Sequence, residues 1–369
     1  MAESTSQSVD AALQQADLYR RAGRLSESAE LYRGILRQRP NDTVVLNNFA
    51  LLLQEQGELD EAIAVLRRAV ELQPDLALAF QNLGIVLRES GRVEEGFAAL
   101  RKHAELNFKN VSEHIYANEP LPPHKARHDR EQRDYLNSIG IQETLHIGNA
   151  SRVSGRAVNP DTSQGAASAQ WQNGNPRIVV IDNILAPEAL TKLRQFCLES
   201  TIWHQIYDPG YLGAMPEYGF GSPLLAQIAE ELPDTYSGIF GQYALRHFWG
   251  FKYDSQLRGI PVHADFAAIN VNMWITPDEA NLDPKSGGLI IWDTPAPLDW
   301  DFSKYNGDVE AAHKYLKQTK ARATTIPYKC NRVVIFDSDL FHETDRISFK
   351  EGYLNRRINI TLLYGQREE

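Results

Sequence analysis

Residues 41–74 read NDTVVLNNFALLLQEQGELDEAIAVLRRAVELQP, a stretch of 34 residues that recurs along the amino-terminal third of the chain. The glycines and prolines that mark this period are Gly23, Gly57 and Gly91, and Pro40 and Pro74. A glycine permits a left-handed turn between two helices, and a proline ends the second helix before the next unit starts. A fixed period of this length predicts a stacked array of helix pairs.

Apolar residues inside the stretch recur at helical spacing, with charged residues on the opposite face. They are Leu59, Ala62, Ile63, Leu66, Ala69 and Val70. This spacing predicts amphipathic helices. Together with Ala50, Gly57 and Pro74 it resembles the tetratricopeptide repeat, which implies an all-α array of three repeats over residues 9–110. The third repeat departs from the pattern, because Gly96 replaces a small alanine and Phe108 replaces the proline, as a terminal repeat is expected to do.

The resemblance also bears on partners. Arrays of this kind bind a peptide or a partner helix in a concave groove. It therefore implies a protein or peptide partner in the repeat groove. The alternative is a helical scaffold that only packs on the second domain or associates with itself to form a homo-oligomer.

Length, composition and charge limit the class of protein. The chain has 369 residues, of which 43% are hydrophobic and 23% charged, enough for two folded domains. Its net charge of -10 repels phosphate and anionic lipid, so we expect no nucleic-acid and no membrane partner. The two cysteines, Cys197 and Cys330, provide neither a disulfide framework nor a thiolate zinc cluster. A polar amino terminus and the lack of a long apolar run predict a soluble, cytoplasmic protein.

Three segments follow the repeats. Residues 111–148 contain a charged helix, Lys125 to Ser138, which is expected to cap the repeats. His124 and His128 have the i, i+4 spacing of metal ligands, but their many charged neighbours favour a solvated face. Residues 149–176 are rich in Asn, Ser, Gly, Ala and Gln, a composition that predicts a flexible linker. Residues 177–369 then form the second domain.

The second domain is dominated by short β-branched and aromatic runs separated by Gly, Pro, Asn and Asp. The predicted strands are Ile178 to Ile181, His247 to Tyr253, Ala268 to Ile275, Gly288 to Trp292, Arg332 to Phe336 and Ile358 to Tyr364. This order predicts an antiparallel sandwich or barrel. Residues 293–325 interrupt the strands with a helix near Val309 to Gln318, and such an insertion often forms a lid.

Three side chains of this domain form a candidate metal site. His263 and Asp265 are two positions apart, so on a strand both project to the same face, and His342 follows the strand Arg332 to Phe336. Two imidazoles and a carboxylate on one face of an octahedral ion leave three open positions, the arrangement of non-haem Fe(II) oxygenases. A 2-oxo acid would take two of them and O2 the third. The far carboxylate of the acid would then need a guanidinium, which Arg357 provides.

The set His263-x-Asp265, His342 and Arg357 resembles that of the 2-oxoglutarate- and iron(II)-dependent dioxygenases. The segment RINITLLY, which begins at Arg357, and Tyr253 resemble the prolyl hydroxylase branch of that superfamily. The resemblance implies a double-stranded β-helix (jelly-roll) domain with flanking helices.

The same resemblance implies roles for residues near the metal. Tyr253 and Arg357 would hold the carboxylates of 2-oxoglutarate. Relatives commonly have a serine two positions after the arginine, where this chain has Asn359, which still offers a hydrogen-bond donor. The implied reaction is hydroxylation of a C–H bond by O2, with release of succinate and carbon dioxide.

One predicted strand has an unusual polar face. Alternation places Asn270, Asn272 and Trp274 on one side of it. An inward polar face is costly unless a ligand satisfies it, so Asn272 is predicted to contact cosubstrate or substrate. The alternative is an edge strand whose asparagines face solvent.

These observations predict an iron(II)- and 2-oxoglutarate-dependent dioxygenase that hydroxylates a protein or peptide recruited by the repeats. Two alternatives belong to other classes. The chain would be a non-catalytic adaptor if the jelly roll has lost turnover. It would be a small-molecule hydroxylase if the repeats serve only for oligomerisation.

Overall fold

The computed structural model describes residues 2–108, 121–160, 164–208 and 210–367. The chain divides into two compact units, Met1–Asn110 and Val111–Glu369. Parts of the predicted segments lie outside the described residues, namely 109–120, 161–163, 209 and 368–369. In the described part of the chain, no helix combines the length and apolar character needed to cross a membrane.

The first unit is a helical array, as the period predicts. Its helices are α1 (Ala2–Arg21), α2 (Leu25–Gln38), α3 (Thr43–Glu55), α4 (Leu59–Leu72), α5 (Ala77–Glu89) and α6 (Val93–Phe108). The turn glycines Gly23, Gly57 and Gly91 have φ values of +72°, +78° and +81°. These are left-handed conformations that glycine adopts without a steric penalty.

Contacts between successive repeats recur with the same period. Arg33 forms an ion pair with Glu61 at 3.0 Å, and Arg67 forms one with Glu95 at 2.7 Å. Such exposed pairs add little to the free energy of folding. Their recurrence nevertheless shows that each repeat meets the next in the same way. The apolar core of the unit includes Leu66, which is completely buried.

Packing explains why the third repeat has Gly96 where the repeat pattern has alanine. Helices α5 and α6 approach each other at two glycines. A Cβ atom on Gly84 would lie 2.6 Å from Cγ of Leu100 and 2.8 Å from the carbonyl oxygen of Gly96. A Cβ atom on Gly96 would lie 2.8 Å from the carbonyl oxygen of Gly84. The last helix pair therefore needs glycine at both positions.

We expect Gly84→Ala to destabilise the first unit by about 1–3 kcal/mol, because the added methyl group overlaps atoms that cannot all move away. The matched control is Gly34→Ala in α2, where only the end of the Arg37 side chain comes near, at 3.7 Å. That substitution should stabilise the unit by about 0.5–1 kcal/mol, since alanine is the better helix former. Thermal unfolding of the full chain, followed by far-ultraviolet circular dichroism, measures both. Equal melting of Gly84→Ala and wild type would contradict the close approach.

The second unit combines helices with many short strands. Its helices are α7 (Pro123–Ser138), α8 (Gln164–Asn173), α9 (Pro187–Glu199), α10 (Pro223–Thr235), α11 (Ser237–Phe240) and α12 (Val309–Thr319). Its strands are β1 (Ile178–Asp182), β2 (Gln205–Tyr207), β3 (Tyr211–Ala214), β4 (Leu245–Tyr253), β5 (Gln256–Leu257), β6 (Ile269–Trp274), β7 (Leu289–Pro295), β8 (Ala323–Ile326), β9 (Arg332–Asp337), β10 (Leu340–Thr344), β11 (Ile347–Ser348) and β12 (Ile358–Tyr364). Each strand predicted from the sequence overlaps an observed one.

The strands form antiparallel sheets. Seven make the main sheet in the order β1-β9-β6-β12-β4-β3-β2, three make a small sheet in the order β10-β7-β8, and β11 pairs with β5. Every pairing is antiparallel. Among the described residues the strands do not close into a barrel. The prediction that the second domain is rich in antiparallel β-strands is confirmed.

The main sheet and the small sheet face each other across a shared core. Tyr253, Trp274 and Phe336 of the main sheet belong to the same buried apolar cluster as Leu289 and Ile291 of the small sheet. The side of β6 that faces this cluster carries the predicted polar residues. Because β6 lies between β9 and β12 and all six of its residues are buried, it is not an edge strand.

The segment 149–176, predicted to be a flexible linker, differs from that expectation. Val153 and Val158 are buried, and residues 164–173 form α8. The backbone N–H of Val153 donates to Oε1 of Gln227 at 2.9 Å, and Nε2 of Gln227 donates to the carbonyl oxygen of Gly155 at 2.8 Å. A few well-placed apolar side chains suffice here because a side-chain amide satisfies the irregular backbone.

The helix predicted at Lys125 to Ser138 is α7, and it belongs to the second unit. It packs there through its polar residues. Nε2 of Gln132 donates to the carbonyl oxygen of Ser200 at 3.0 Å and to the Tyr353 hydroxyl at 2.8 Å. His128, expected on a solvated face, is completely buried. The charged composition of α7 therefore concealed a buried polar contact surface.

Candidate active site

The structure brings His263, Asp265 and His342 together. One ligand atom from each lies within 4.8 Å of the others. His342 is on β10, and His263 is in the loop before β6, where the two residues pair as an antiparallel bridge. Each backbone N–H of the pair donates to the other residue's carbonyl oxygen, at 2.9 and 2.8 Å. The backbone thus fixes the side chains that the sequence separates by 79 positions.

Both imidazoles are oriented by the backbone. Nδ1 of His263 lies 2.8 Å from the carbonyl oxygen of Pro261, and Nδ1 of His342 lies 2.9 Å from that of Leu340. Because a carbonyl oxygen only accepts, these contacts place the proton on Nδ1. The lone pairs are then on Nε2, which lies 3.9 Å from Oδ1 of Asp265 in His263 and 3.6 Å from Oδ2 in His342. This is the ring orientation that metal-binding histidines adopt.

Asp265 is held by amides on both of its oxygens. Nδ2 of Asn270 donates to Oδ2 at 2.6 Å, and Nδ2 of Asn306 donates to Oδ1 at 3.4 Å. The carboxylate is 5% exposed. Its orientation is therefore set in part by one residue of the main sheet and one residue of the insertion between β7 and β8.

The protonation states suit metal binding. Burial and, to a smaller extent, the neighbouring His342 lower the pKa of His263 to about 4. Burial by itself would raise the pKa of Asp265, but its interactions with His342 and His263 outweigh that effect and leave this pKa below its usual value. A neutral imidazole and an ionised carboxylate are the forms that bind a cation.

Arg357 lies in an aromatic cradle next to this group. Its side chain is 1% exposed, and its Cζ atom is 4.6 Å from the ring centroid of Tyr253, 5.5 Å from Trp274 and 5.8 Å from Tyr328. Nε donates to the carbonyl oxygen of Gly287 at 2.7 Å. Burial lowers the pKa of Arg357, yet guanidinium groups stay charged in proteins.

Backbone pairing keeps Tyr253 beside the arginine and near the histidines. The N–H of Tyr253 donates to the carbonyl oxygen of Arg357 at 3.0 Å. The pKa of Tyr253 is raised by burial and lowered to a smaller extent by Arg357 and by the side chain of Thr344. Thr344 follows His342 by two residues on β10, a separation of about 7 Å along a strand. The cradle and the His-Asp-His group are therefore adjacent.

Three buried polar atoms of the cradle have no partner among the described residues. They are Nη1 of Arg357, Nε1 of Trp274 and Oδ1 of Asn359. A buried donor or acceptor without a partner costs about 1–3 kcal/mol. Two unsatisfied donors, one of them on a buried positive charge, fit an anionic ligand such as a carboxylate.

A chain of hydrogen bonds joins polar side chains of the adjacent strands β12 and β6. Nδ2 of Asn359 donates to the Thr361 hydroxyl at 3.0 Å, and that hydroxyl donates to Oδ1 of Asn272 at 3.4 Å. Nδ2 of Asn272 in turn donates to Oδ1 of Asn270 at 2.6 Å. Asn270 completes the chain at Asp265. The two predicted cosubstrate contacts, Asn272 and Asn359, therefore both belong to the hydrogen-bonded chain that ends at Asp265.

The predicted site residues thus come together, and the structure adds others. The sequence pattern placed Asn270 and Trp274 on the polar face without a role, and no pattern indicated Asn306 or Tyr328. Alternation along β6 was the available signal for the first two. The contact of Asn306 depends on how the insertion folds back, which its local sequence does not reveal.

A second group of titratable side chains is buried away from this site. His128 is completely buried, and its Nδ1 lies 3.0 Å from Oδ1 of Asp129. Burial lowers the pKa of His128 well below its usual value and lowers that of His204 to about 4, with the charge of Lys125 adding to both effects. Lys252, 1% exposed, donates through Nζ to the Tyr353 hydroxyl at 2.8 Å.

We expect the second unit to lose stability between pH 7 and pH 5. A histidine whose pKa is lowered on folding stabilises the protein above its unfolded pKa of about 6.5, and this contribution is lost as the pH falls toward the folded value. For His204 the loss at pH 5 is about 2 kcal/mol, since one pH unit corresponds to about 1.4 kcal/mol. All six tryptophans lie in this unit, so urea unfolding followed by tryptophan fluorescence measures it selectively.

The variants His204→Gln and His313→Gln test this assignment. His313 is exposed, so its replacement should leave the difference between pH 7 and pH 5 unchanged. His204→Gln should reduce that difference, whatever its effect on stability at pH 7. An unchanged pH dependence in His204→Gln would contradict a role for this histidine.

Comparison with known proteins identifies the first unit. Residues 2–43 match the family model described as tetratricopeptide repeat, and residues 50–91 match the model described as TPR repeat. The amino-terminal helices are therefore tetratricopeptide repeats, as the 34-residue period predicted. No curated protein matches the chain.

Similar solved structures each cover part of the chain. An O-GlcNAc transferase mutant of Thermobaculum terrenum is 28% identical over 42% of this chain and 29% of its own, with a TM-score of 0.27. The non-haem alpha-ketoglutarate-dependent epimerase SnoN from nogalamycin biosynthesis is 11% identical over 55% of this chain and 83% of its own, with a TM-score of 0.42. The first TPR domain of Spaghetti, bound to an HSP90 peptide, is 20% identical over 28% of this chain and 83% of its own, with a TM-score of 0.27.

Proposed function

We propose that the second unit is an iron(II)- and 2-oxoglutarate-dependent dioxygenase that hydroxylates a C–H bond. The observation that carries this proposal is the convergence of His263, Asp265 and His342, with both Nε2 atoms turned toward one carboxylate. The facing antiparallel sheets are compatible with a double-stranded β-helix, the jelly roll that the sequence resemblance implies.

The donor set fits a non-haem iron. Two neutral imidazoles and one carboxylate occupy one face of an octahedral ion and leave three positions for other ligands. Thiolate ligands, which would favour zinc or an iron–sulfur cluster, are absent from the described group. Bound Fe(II), together with 2-oxoglutarate and O2, supplies the oxidation of the C–H bond and yields succinate and carbon dioxide.

The remaining residues bind and orient. Arg357 is the partner we propose for the far carboxylate of 2-oxoglutarate, because it is buried, charged and has an unsatisfied Nη1. Trp274 offers its indole N–H beside it, and Tyr253 covers one face of the guanidinium. The aromatic rings exclude water from this end of the site, which strengthens a charge-assisted hydrogen bond.

Asn272 and Asn359 are proposed to position their neighbours. Each donates its amide hydrogen toward Asp265 along the chain of hydrogen bonds. The side-chain amide of Asn359, which was expected to donate to the cosubstrate, already donates to the Thr361 hydroxyl. Its Oδ1 is the atom that has no partner among the described residues. Because 2-oxoglutarate carries no hydrogen-bond donor, we assign this oxygen an acceptor role toward a bound water molecule or the substrate.

The repeats are proposed to recruit the substrate, a protein or peptide that binds in their groove. Self-association through the repeats is the alternative. Unchanged turnover of the substrate by a chain that lacks residues 1–110 would favour the alternative of a small-molecule hydroxylase whose repeats only mediate oligomerisation.

The test of the reaction uses the full chain. Anaerobic addition of Fe(II) and 2-oxoglutarate should produce a metal-to-ligand absorption band, and admission of O2 should produce succinate. His313→Ala is the matched control, because that histidine is exposed and lies outside the group. No band and no succinate from the wild type would overturn the proposal and favour the non-catalytic adaptor.

A further inference from the structure

The insertion between β7 and β8, residues 296–322, contacts the segment that carries two of the candidate metal ligands. Its base is closed by Asp293, whose N–H donates to the carbonyl oxygen of Arg322 at 3.0 Å and whose Oδ1 accepts from the N–H of Arg322 at 2.8 Å. From this base the chain makes one π-helical turn, Ser303–Gly307, and then forms α12.

The π-helical turn forms hydrogen bonds with both backbone polar groups of Ala264. Ala264, between the two ligands His263 and Asp265, is completely buried. Its N–H donates to the carbonyl oxygen of Tyr305 at 2.9 Å, and its own carbonyl oxygen accepts from Nδ2 of Asn306 at 2.8 Å. Both polar groups of this residue are thus satisfied by consecutive residues of the insertion.

The opposite side of the ligand segment is held by β10 and the turn before it. His263 pairs with His342, and the N–H of Asp265 donates to the carbonyl oxygen of Ser338 at 3.1 Å. The ligand segment therefore lies between two supports, one from the sheet side and one from the insertion. Loss of either support leaves buried backbone groups unpaired, which is unfavourable.

Asn306 also contacts the side chain of Asp265, one of the candidate metal ligands. The same Nδ2 lies 3.4 Å from Oδ1 of Asp265, while Asn270 donates to Oδ2. One amide thus bonds the backbone between the ligands and faces the ligand carboxylate. No other described residue of the insertion hydrogen-bonds this carboxylate.

We propose that Asn306 is a positioning residue through which the insertion and the metal site form one cooperative unit. This inference rests on the proposed function, because it takes the His-Asp-His group to be a metal site. Binding of a cation fixes Asp265, and through Asn306 it stabilises the turn Ser303–Gly307. The coupling is reciprocal, so an insertion that loses this contact weakens cation binding.

The coupling has a consequence for the substrate. Phe302, at the start of the turn, is 53% exposed, and its ring centroid is 5.5 Å from that of Phe266, the residue after Asp265. The insertion thus places an exposed aromatic side chain next to the ligand segment. A cation that orders the turn also orders this aromatic pair, so the metal-loaded protein presents a defined apolar surface beside the reacting centre.

The test measures Co(II) binding by the full chain without cosubstrate, together with hydrogen exchange. We expect Asn306→Ala to weaken Co(II) binding tenfold or more, since partners of metal ligands contribute about 10- to 100-fold to affinity. Co(II) should slow amide exchange in the turn Ser303–Gly307 of the wild type and not in Asn306→Ala. Lys304→Ala, an exposed position in the same turn, is the control and should behave as wild type.

Each outcome is decisive. Equal Co(II) affinity and equal protection in Asn306→Ala and Lys304→Ala would overturn the inference and leave the proposed function intact. Failure of the wild type to bind Co(II) would overturn both. If Asn306→Ala does not fold, as judged by tryptophan fluorescence, Asn306→Ser replaces it, because that variant also removes the amide without adding a charge, and the same two results then decide.

Discussion

Asp265→Ala is expected to reduce the affinity for Fe(II), or for Co(II) used in its place, by more than about a hundredfold. The carboxylate is the only anionic member of the group and lies between the two Nε2 atoms, at 3.9 and 3.6 Å. Its removal leaves two neutral donors, and its effect should exceed the 10- to 100-fold that residues outside the ligand set contribute. Isothermal titration of the metal-free protein measures the change.

Asp265→Asn separates the charge from the shape of the side chain. It retains the volume and one carbonyl oxygen, so a loss similar to that of Asp265→Ala would show that the negative charge is required. His313→Ala should bind the cation as wild type does. Retention of wild-type affinity in both Asp265 variants would remove the carboxylate from the site and with it the proposed dioxygenase.

Arg357→Met is expected to weaken the binding of 2-oxoglutarate about 10- to 100-fold and to leave the affinity for the cation unchanged. A hydrogen bond to a charged group contributes about 1.5–3 kcal/mol, which corresponds to this range. Methionine fills most of the space between Tyr253, Trp274 and Tyr328, so the loss reports the guanidinium rather than a cavity. Titration of 2-oxoglutarate into the Co(II)-loaded protein provides the measurement.

The control for this variant is Arg346→Met, whose arginine side chain is 69% exposed. It should bind 2-oxoglutarate with wild-type affinity. Arg357→Lys should not rescue binding fully, because an ammonium lacks the planar fork that pairs with a carboxylate. Unchanged binding in Arg357→Met would place the far carboxylate elsewhere.

The sequence predicted the elements whose periodicity is strong. The 34-residue period located six helices, and the run from Ile358 to Tyr364 is observed as β12 over the same residues. The order of His263, Asp265 and His342 along the chain, together with the family resemblance, led to the prediction of a common site, and one ligand atom from each of the three lies within 4.8 Å of the others. The distances between these side chains could not be predicted from the sequence, because they depend on the antiparallel backbone pairing of His263 with His342.

Predictions based on amino-acid composition were less accurate than those based on periodicity. The linker prediction for 149–176 failed because low apolar content says nothing about where the few apolar residues lie, and Val153 and Val158 are buried. For α7, abundant charge suggested a solvated face, but Asp129 and Tyr353 provide polar and aromatic partners for His128 inside the unit. In each case one partner is distant in sequence, Gln227 for residues 153–155 and Tyr353 for His128, and local patterns do not encode such contacts.

The imidazole orientation has one more consequence. Because the Nδ1 atoms of His263 and His342 are both tied to carbonyl oxygens of their own chain, neither ring can turn over without losing a bond. The orientation of the two rings therefore does not depend on a bound ion, and an ion that dissociates can rebind to the same arrangement of Nε2 atoms. For the proposed metal site we therefore expect that a chelator removes the ion and that the ion rebinds at room temperature without unfolding of the chain.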